Sequence, residues 1–593
     1  MSSAVATATE PVPQPADRDR RTPRLGGHPL VVAGVLYLAG SVALHHEVAG
    51  DLTGSTTGWT SSDSHLFVWW LNWLPWSLQH GYNPLFSSFQ HFPFGVNALW
   101  NTTSPVLAAV LTPVTVLIGP VAAYNVGMIL GPVVSGLAMA WALGWYVDRW
   151  FPRVLAGALY GFNPFLLAHG SVGHLNIVWA LLPPVLLWAV QAILVRPGRH
   201  PRRVGALLGL AFAVQTGVYT QTVALGALVL LVAAVVLAAR WPHRVAERLP
   251  FVGAAAVACI GVYVALCAYP LYLLLAGPAR PRGQIRDPTQ TGADVANLVV
   301  PTHLTALQFR LAELAGQLRS HSGEQGGYVG LLMLALLVSA VWVVPVVTVR
   351  ILAAVGVVLV LLSLGTDAVV LGRDVGVPLP WRLVEHVPLV SQAEAVRLQV
   401  FIAACVAGVV ALWLDHVQSW RSTVPRAAGI AAALLAALTW VPADVQRSVP
   451  AMTPAFFLAA ERHLVAEAVV ETFPRVSGRW VGGARPLLWQ VRSGMAYRTT
   501  GGYFIASDPD DDVVLEGPVN RYQIGAAQAG DGDPPQPPPE QAADELRALG
   551  VNAVVVVDLP EYDAAAVAAW TSEVTGSPGE RIEDAWVFRF ANA

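Results

Sequence analysis

The sequence predicts a mostly α-helical, polytopic membrane protein with about eleven spans and a C-terminal extracytoplasmic α/β domain. Of its 593 residues, 55% are hydrophobic and only 12% are charged, whereas a soluble domain carries about 25% charged residues. Apolar runs such as Val204–Ala239 and Phe251–Ala276 exceed the roughly 20 residues that one spanning helix needs. From residue 442 onward the composition changes to that of a soluble protein. These observations predict a location in the cell membrane.

Short loops rich in arginine determine the predicted orientation, because positively charged loops stay in the cytoplasm. Two of them are 196–203 and 240–248. Residues 1–28 are polar, basic and rich in proline, and we interpret them as a disordered cytoplasmic tail. The absence of lysine and the abundance of Ala, Gly, Val and Pro are typical of an actinobacterial protein. The predicted spans are 29–46, 122–146, 154–168, 175–194, 204–219, 221–239, 250–275, 327–346, 351–371, 396–414 and 427–441.

This topology makes residues 29–441 a transmembrane domain with two large outer loops, 47–121 and 277–326. The first loop contains a short apolar segment, Pro105–Ile118, with a proline inside it. We expect this segment to dip into the membrane without crossing, because a crossing would put the next Arg-rich loop outside. The loop also contains an amphipathic run, His65–Leu78, which we expect to lie on the membrane surface. Its tryptophans are expected at the lipid interface, and stacking on the faces of sugars is the alternative.

Residues 442–593 are expected to form the soluble extracytoplasmic α/β domain. Their apolar periodicity changes between that of helices and that of strands. They contain no recognisable catalytic constellation, so we expect them to bind a partner or to act as a lid. The predicted elements near the end are helix Ala542–Ala548, strand Val551–Val557, helix Asp563–Glu573 and strand Ala585–Phe590.

Several short motifs follow one another in the predicted membrane region. They are D-x-H-x-F-x-x-W at 63–70, G-x-N-P-L at 81–85, F-G-V-N at 94–97, GPVAAYN at 119–125 and GALYGFNPFLLAHGSVGHLN at 157–176. In this order and with this topology, the chain over about 29–441 resembles the GT-C membrane glycosyltransferases. These include protein O-mannosyltransferases and lipid A aminoarabinose transferases.

The resemblance implies a transfer of a hexose or a pentose from a polyprenyl-phosphate donor. The acceptor would be an envelope glycan, lipid or protein on the outer face of the membrane. Such a displacement needs a carboxylate that takes the proton of the acceptor hydroxyl. It also needs positive charge at the leaving phosphate, from an arginine or from a divalent cation. The sequence assigns no metal ligands.

Two aspartates are candidates for this base. Asp63 lies just before the amphipathic run of the first outer loop. The resemblance implies the catalytic carboxylate at this place. The structural alternative is a helix N-cap, for which aspartate is a favoured residue. Asp51 follows the first predicted span closely and is the competing candidate.

Seven further residues are candidates for substrate binding, and each also has a structural interpretation. Arg397 heads a span on its outer side, so it either grips a phosphate with its planar fork or pairs with Glu394. The histidines of the turn HGSVGH are ionisable residues at a span end, where a functional role and simple interfacial placement are both open. The candidates are His65, His169, His174, Asn176, His303, Glu324 and Arg397.

Two other classes of function stay open at this point. A transporter or flippase of lipid-linked sugars would place polar residues within its spans, whereas here they gather in the predicted outer loops. An envelope-assembly scaffold would use the C-terminal domain to bind a partner. The net charge of −3 and the lack of a basic patch argue against nucleic acid as a partner. The three cysteines all lie in apolar segments, which excludes a disulfide framework.

Overall fold

The computed structural model describes residues 27–195, 200–308, 311–477, 483–507 and 513–590. The predicted cytoplasmic tail lies outside this part of the chain except for its last two residues, and so do residues 196–199 of the first Arg-rich loop.

The membrane region is built from helices, since a helix satisfies its backbone polar groups within one segment. They are α1 (Gly27–Leu44), α2 (Ser61–Gln79), α3 (Pro105–Leu117), α4 (Pro120–Leu143), α5 (Trp150–Gly161), α6 (Pro164–Ser171), α7 (Leu182–Val190), α8 (Pro201–Thr216), α9 (Thr220–Arg240), α10 (Pro242–Ala276), α11 (Leu331–Val343), α12 (Val347–Ser363), α13 (Gln399–Gln418) and α14 (Thr423–Leu438).

Within the described residues, five helical segments are long and apolar enough to cross a membrane. Five shorter apolar helices of 10–17 residues accompany them. The helical, membrane-type character of the prediction is therefore confirmed, while the count of eleven spans stays a prediction. The five long segments are Pro120–Leu143, Leu175–Ile193, Thr220–Arg240, Pro242–Ala276 and Ala395–Gln418.

Two predicted spans differ in detail from the helices that the structure contains. The segment 154–168 is interrupted: α5 ends at Gly161, and α6 begins at Pro164 with the side chain of Asn163 as its N-cap. Proline has no N–H to continue a helix but is well suited to the first position of the next one. The segment 351–371 is helical only to Ser363, and its last residues enter a β-hairpin.

Helix α2 does not lie on the surface as predicted. Trp69, Trp70 and Trp73 are at most 2% exposed and belong to the protein core, whereas Trp76 is half-buried. The helix packs against α3 and α4 and against a helix of the C-terminal region, so protein rather than lipid covers its apolar face. The interfacial interpretation of these three tryptophans is therefore wrong.

The loops and the C-terminal region contain short β-strands. They are β1 (Ser55–Thr57), β2 (Phe86–Ser87), β3 (Val96–Asn97), β4 (Asp367–Val370), β5 (Arg373–Pro378), β6 (Ser448–Pro450), β7 (Ala468–Phe473), β8 (Tyr497–Arg498), β9 (Tyr503–Ser507), β10 (Val513–Glu516), β11 (Ala553–Val557), β12 (Glu580–Ile582) and β13 (Ala585–Arg589).

The C-terminal region contains a five-stranded mixed sheet of order β12-β13-β11-β7-β8. Its helices are α15 (Arg485–Arg492), α16 (Arg521–Gly530), α17 (Pro539–Ala548) and α18 (Ala564–Thr575). The region is joined to the first loop, because β6 pairs antiparallel with β1. In addition, Trp69 donates its indole N–H to Gln490 of α15 at 2.6 Å. The C-terminal region is thus packed onto the segment that contains the candidate base.

Candidate active site

A cavity of about 1150 Å³ lies where α8 and α10 end and where α9 and α13 begin. Thr216, Thr220 and Leu274 line it at three of these helix ends. The first turn of α2 and strand β9 of the C-terminal region form other parts of its wall. Residues that are far apart in the sequence therefore meet at one end of the helix assembly.

The cavity has two chemically different parts. Its wall between α9 and α10 is largely apolar, with Val223, Ala224, Ala227 and Leu271. Its other part is lined by acidic, basic and imidazole side chains. The residues of this charged part are Asp63, His174, Arg286, His321, Glu324, Glu394 and Arg397.

Asp63 lines the charged part from the first turn of α2. The helix has Thr60 as its N-cap residue, so the capping interpretation of Asp63 does not apply. His174 Nε2 lies 3.2 Å from Asp63 Oδ2, and the hydroxyl of Tyr503 donates to Oδ1 at 3.4 Å. Burial raises the pKa of this carboxyl, but His174, Tyr503 and the charge of Arg286 outweigh it, and the pKa lies below its usual value. The carboxylate is therefore ionised and can accept a proton.

The turn HGSVGH folds its two histidines onto each other. Gly173 adopts a φ of +89°, a left-handed conformation that glycine enters without strain. A side chain there would also approach the hydroxyl of Tyr124 to 2.9 Å. The rings of His169 and His174 stack at 5.0 Å, and their Nδ1 atoms are 2.7 Å apart. Burial and then the neighbouring His174 lower the pKa of His169, so this fully buried ring is neutral.

Arg397 is the centre of a second cluster. Its Nη2 lies 3.1 Å from Glu324 Oε1 and 2.7 Å from Glu394 Oε2. Its Nη1 donates to Gln221 Oε1 at 2.8 Å and also contacts the hydroxyl of Tyr219. The pairing with Glu394 expected as a structural alternative is present, yet the guanidinium still lines the cavity.

Glu324 and Glu394 are the two carboxylates that pair with Arg397. Arg286, from the loop after α10, is largely exposed and pairs with Glu394 at 2.6 Å. Burial and the nearby Glu394 raise the pKa of Glu324 well above its usual value. Glu324 Oε2 also lies 3.6 Å from His169 Nε2, which links the arginine cluster to the histidine pair.

The structure brings together five of the predicted site residues. Asp63, His169, His174, Glu324 and Arg397 follow one another as neighbours around the charged part of the cavity. Asn176, which is buried, also lines the cavity.

Four predicted residues are not in the cavity wall. His169 lies behind the wall, fully buried and in contact with His174, and the other three lie elsewhere. Asp51 is exposed, and its Oδ1 accepts backbone N–H groups from the turn that follows it. His65 is turned roughly 200° around the helix from Asp63, and burial lowers its pKa to about 4. His303 is half-buried, and its ring packs against Trp59 at 5.0 Å.

Three of the cavity residues that sequence reasoning missed contact the charged side chains described above. Arg286 carried the same signal as Arg397, because it is an arginine in a predicted outer loop. Tyr219 lies in the segment QTGVYTQTVAL, which has no acidic residue after Gln215 and therefore gave no candidate for the site. Tyr503 had no signal, since it comes from the C-terminal region, which we expected to bind a partner or to act as a lid.

The described residues contain no group of three or more His, Cys, Asp or Glu side chains arranged to hold a metal ion. Asp63, His174, His169 and Glu324 form a line and do not surround a common centre. Their arrangement does not fit a bound divalent cation, so no step is derived through one.

No protein-family model matches the sequence, and no curated protein matches it. Solved structures are similar in fold. The mycobacterial arabinofuranosyltransferase AftD matches with a TM-score of 0.54 and 16% identity, over 96% of this chain and 40% of AftD. The oligosaccharyltransferase of Archaeoglobus fulgidus, in its apo form, matches with a TM-score of 0.50 and 12% identity, over 91% of this chain and 71% of that protein.

Both of these proteins are GT-C glycosyltransferases, and the chain therefore has the GT-C fold. The predicted resemblance is confirmed at this level. At such identities the likeness defines the fold, and the chain spans about two fifths of the length of AftD.

Proposed function

We propose that the chain is an integral-membrane glycosyltransferase. It takes a sugar from a polyprenyl-phosphate donor and transfers it to a hydroxyl of an envelope glycan, lipid or protein on the extracytoplasmic face. The observation that carries this proposal is the division of one cavity into an apolar wall and a charged part. A lipid-linked sugar phosphate has the same division into an apolar chain and an anionic head. The names of the two similar structures, an arabinofuranosyltransferase and an oligosaccharyltransferase, agree with it.

In the proposed reaction, Asp63 takes the proton of the acceptor hydroxyl. The acceptor oxygen forms a bond to the anomeric carbon, and the bond from that carbon to the phosphate oxygen breaks. The lipid phosphate leaves with the negative charge, and the proton stays on the aspartate. Oδ2 of Asp63 is occupied by His174, whereas Oδ1 has only the long contact with Tyr503. Oδ1 is therefore the atom that receives the proton.

Arg397 and Arg286 stabilise the leaving phosphate in this mechanism. Preorganised positive charge favours a transition state in which negative charge develops. Arg397 is held rigidly by four side chains, so its guanidinium does not need to reorganise during the reaction. Arg286 has an ion pair with Glu394 and a largely exposed side chain, so it can move toward an anionic head group.

The test is transfer by purified protein in liposomes that contain a radiolabelled polyprenyl-phosphate pentose or hexose. Mass spectrometry of the purified protein identifies the lipid that it retains. We expect a polyprenyl phosphate to co-purify and label to pass to an added envelope acceptor. Protein that moves the labelled lipid across the bilayer without transferring its sugar would instead support a flippase.

A further inference from the structure

Four buried or half-buried side chains form a line that starts at the proposed base, with hydrogen-bond distances from Asp63 to His169 and a longer last step to Glu324. His174 Nε2 lies 3.2 Å from Asp63 Oδ2, and His174 Nδ1 lies 2.7 Å from His169 Nδ1. On its other side, His169 Nε2 faces Glu324 Oε2 at 3.6 Å. Each imidazole therefore uses both of its nitrogens along the line. Only Asp63 needs to contact the acceptor, so the other three residues must act through it.

The positions of the hydrogens follow from the partners. Asp63 is ionised, so the His174 Nε2 that faces it carries a hydrogen. The line proposed below has a neutral His174, and a neutral imidazole has only one N–H, so Nδ1 of the same ring is then an acceptor. His169 Nδ1, at 2.7 Å, must then be the donor, because two bare nitrogens at that distance would repel. This leaves His169 Nε2 as a bare acceptor in the protein interior.

Glu324 completes the line. Neither its Oε2 nor His169 Nε2 has a hydrogen-bond partner among the described residues, although both are buried. Buried polar atoms are rarely left unpaired. Oε1 accepts from Arg397, and Glu324 also has a hydrogen-bond contact with the Glu394 carboxylate. The line assigns the proton of Glu324 to Oε2, where a shift of about 0.6 Å brings it to the usual donor distance from His169. Every donor then points in one direction, from Glu324 to Asp63.

We propose that His169 and Glu324 are positioning residues that fix the tautomer of His174. Through that tautomer they hold Asp63 with Oδ2 engaged and Oδ1 facing the cavity. This inference rests on the proposed function, in which Oδ1 receives the proton of the acceptor. No bond within the line breaks during transfer. The line sets the geometry and the ionised state of the base.

The surroundings favour a neutral His169. Its ring is fully buried and packs edge-on against Phe165 at 4.4 Å. A positive charge there would meet other positive or ionisable groups from several elements. The titratable and charged groups around the line are Tyr124 of α4, Arg286 after α10, His321 before α11, Glu394 and Arg397 before α13, and Tyr503 of β9.

Two substitutions of His169 separate positioning from packing. Asparagine has an amide N–H as many bonds from Cα as imidazole Nδ1, so His169→Asn keeps the donor to His174 but leaves a void. His169→Phe fills the ring volume but removes the donor. We expect His169→Phe to lower kcat by roughly 10²–10⁴-fold with KM within about threefold, the range for a misoriented acid–base group. We expect His169→Asn to recover most of kcat.

A packing role predicts the opposite order, because voids in a core cost stability. If His169→Asn is slower than His169→Phe, or if both turn over like the wild type, the proposal is overturned. Glu324→Gln provides a second test, since its amide can still donate to His169 Nε2. It should retain more of kcat than Glu324→Leu, and equal losses would contradict the line.

A measurement without turnover separates this inference from the proposed function. Solid-state ¹⁵N spectra of histidine-labelled protein in lipid distinguish the two tautomers. We expect an Nδ1–H signal in the wild type that is lost in His169→Phe and retained in His174→Phe. Protein that transfers sugar but lacks this signal would overturn the inference. Protein that has the signal but transfers no sugar would overturn the proposed function.

Discussion

Replacement of Asp63 by asparagine tests the proposed base most directly. The substitution would keep the size of the side chain and one accepting oxygen, but an amide cannot take the proton of a hydroxyl. We expect kcat to fall by roughly 10²–10⁴-fold, the usual contribution of a general base. This loss corresponds to about 2.7–5.4 kcal/mol in the activation barrier. Donor binding should persist, because Arg397 and the apolar wall of the cavity are unchanged.

The same substitution also has a cost in stability. The carboxylate of Asp63 receives hydrogen bonds from His174 and Tyr503, whereas an amide has only one accepting oxygen, so only one of these two donors keeps an oxygen acceptor. A hydrogen bond to a charged group contributes about 1.5–3 kcal/mol. We expect a destabilisation of that order, so the rate must be measured on protein whose folding has been checked by thermal unfolding.

Asp51→Asn is the matched control, because it makes the same chemical change on an exposed loop outside the cavity wall. Both variants are assayed in liposomes for label transfer at saturating donor. We expect Asp51→Asn to turn over like the wild type. If Asp63→Asn keeps near-normal turnover while Asp51→Asn loses it, Asp51 is the base. If neither matters, the glycosyltransferase proposal itself is refuted.

Three further outcomes are expected. Arg397→Lys should lower kcat/KM for the donor by roughly 10²–10³-fold, because an ammonium cannot hold the two carboxylates and the leaving phosphate as a planar fork does; an unchanged kcat/KM would contradict this role. Burial and Glu394 raise the pKa of Glu324, so the folded protein holds this proton more tightly than the unfolded chain does, and stability falls as pH rises from the usual value of 4.5 toward the raised pKa; the thermal midpoint of Glu324→Gln should therefore fall less than that of the wild type as pH rises above 4.5, and parallel curves would argue against a protonated acid. Cysteines placed at the exposed positions 60, 290 and 550, but not at the exposed position 200, should react with an impermeant reagent added outside intact cells, since the Arg-rich loops are expected in the cytoplasm; labelling at 200 would invert the topology.

The apolar helices were predictable because their length and composition alone require burial or lipid. Whether lipid or protein covers an apolar helix face was not predictable from the sequence. The same spacing of Trp69, Trp70 and Trp73 arises whether lipid or protein lies against the helix, and here the C-terminal region covers it. The break at Asn163–Pro164 was visible in the sequence, since a cap residue followed by proline begins a new helix. The continuous hydrophobicity of the segment 154–168 hides this break.

The site was predictable where one residue carried its own signal. Asp63 was identified from its place in the first outer loop, where the resemblance implies a catalytic carboxylate, and Arg397 from its position on the outer side of a span. The histidines of the turn were identified as ionisable residues at a span end. Their partners were not predictable, because distance in the fold is unrelated to distance along the chain. His65 is two residues from Asp63 but faces away from the cavity, whereas the partner of Asp63 is His174, 111 positions later.

The composition of the chain changes at residue 442, but residues on both sides of that point line the cavity. Tyr503 comes from β9, beyond that point, yet its hydroxyl donates to Asp63. The Asp63 carboxylate and burial raise the pKa of Tyr503, so the phenol stays protonated and remains a donor. Trp69 and Gln490 join the same two regions behind the base. The polar composition of the C-terminal region therefore reflects its position beside the helices, while its packing on α2 makes it one wall of the cavity in which the proposed transfer takes place.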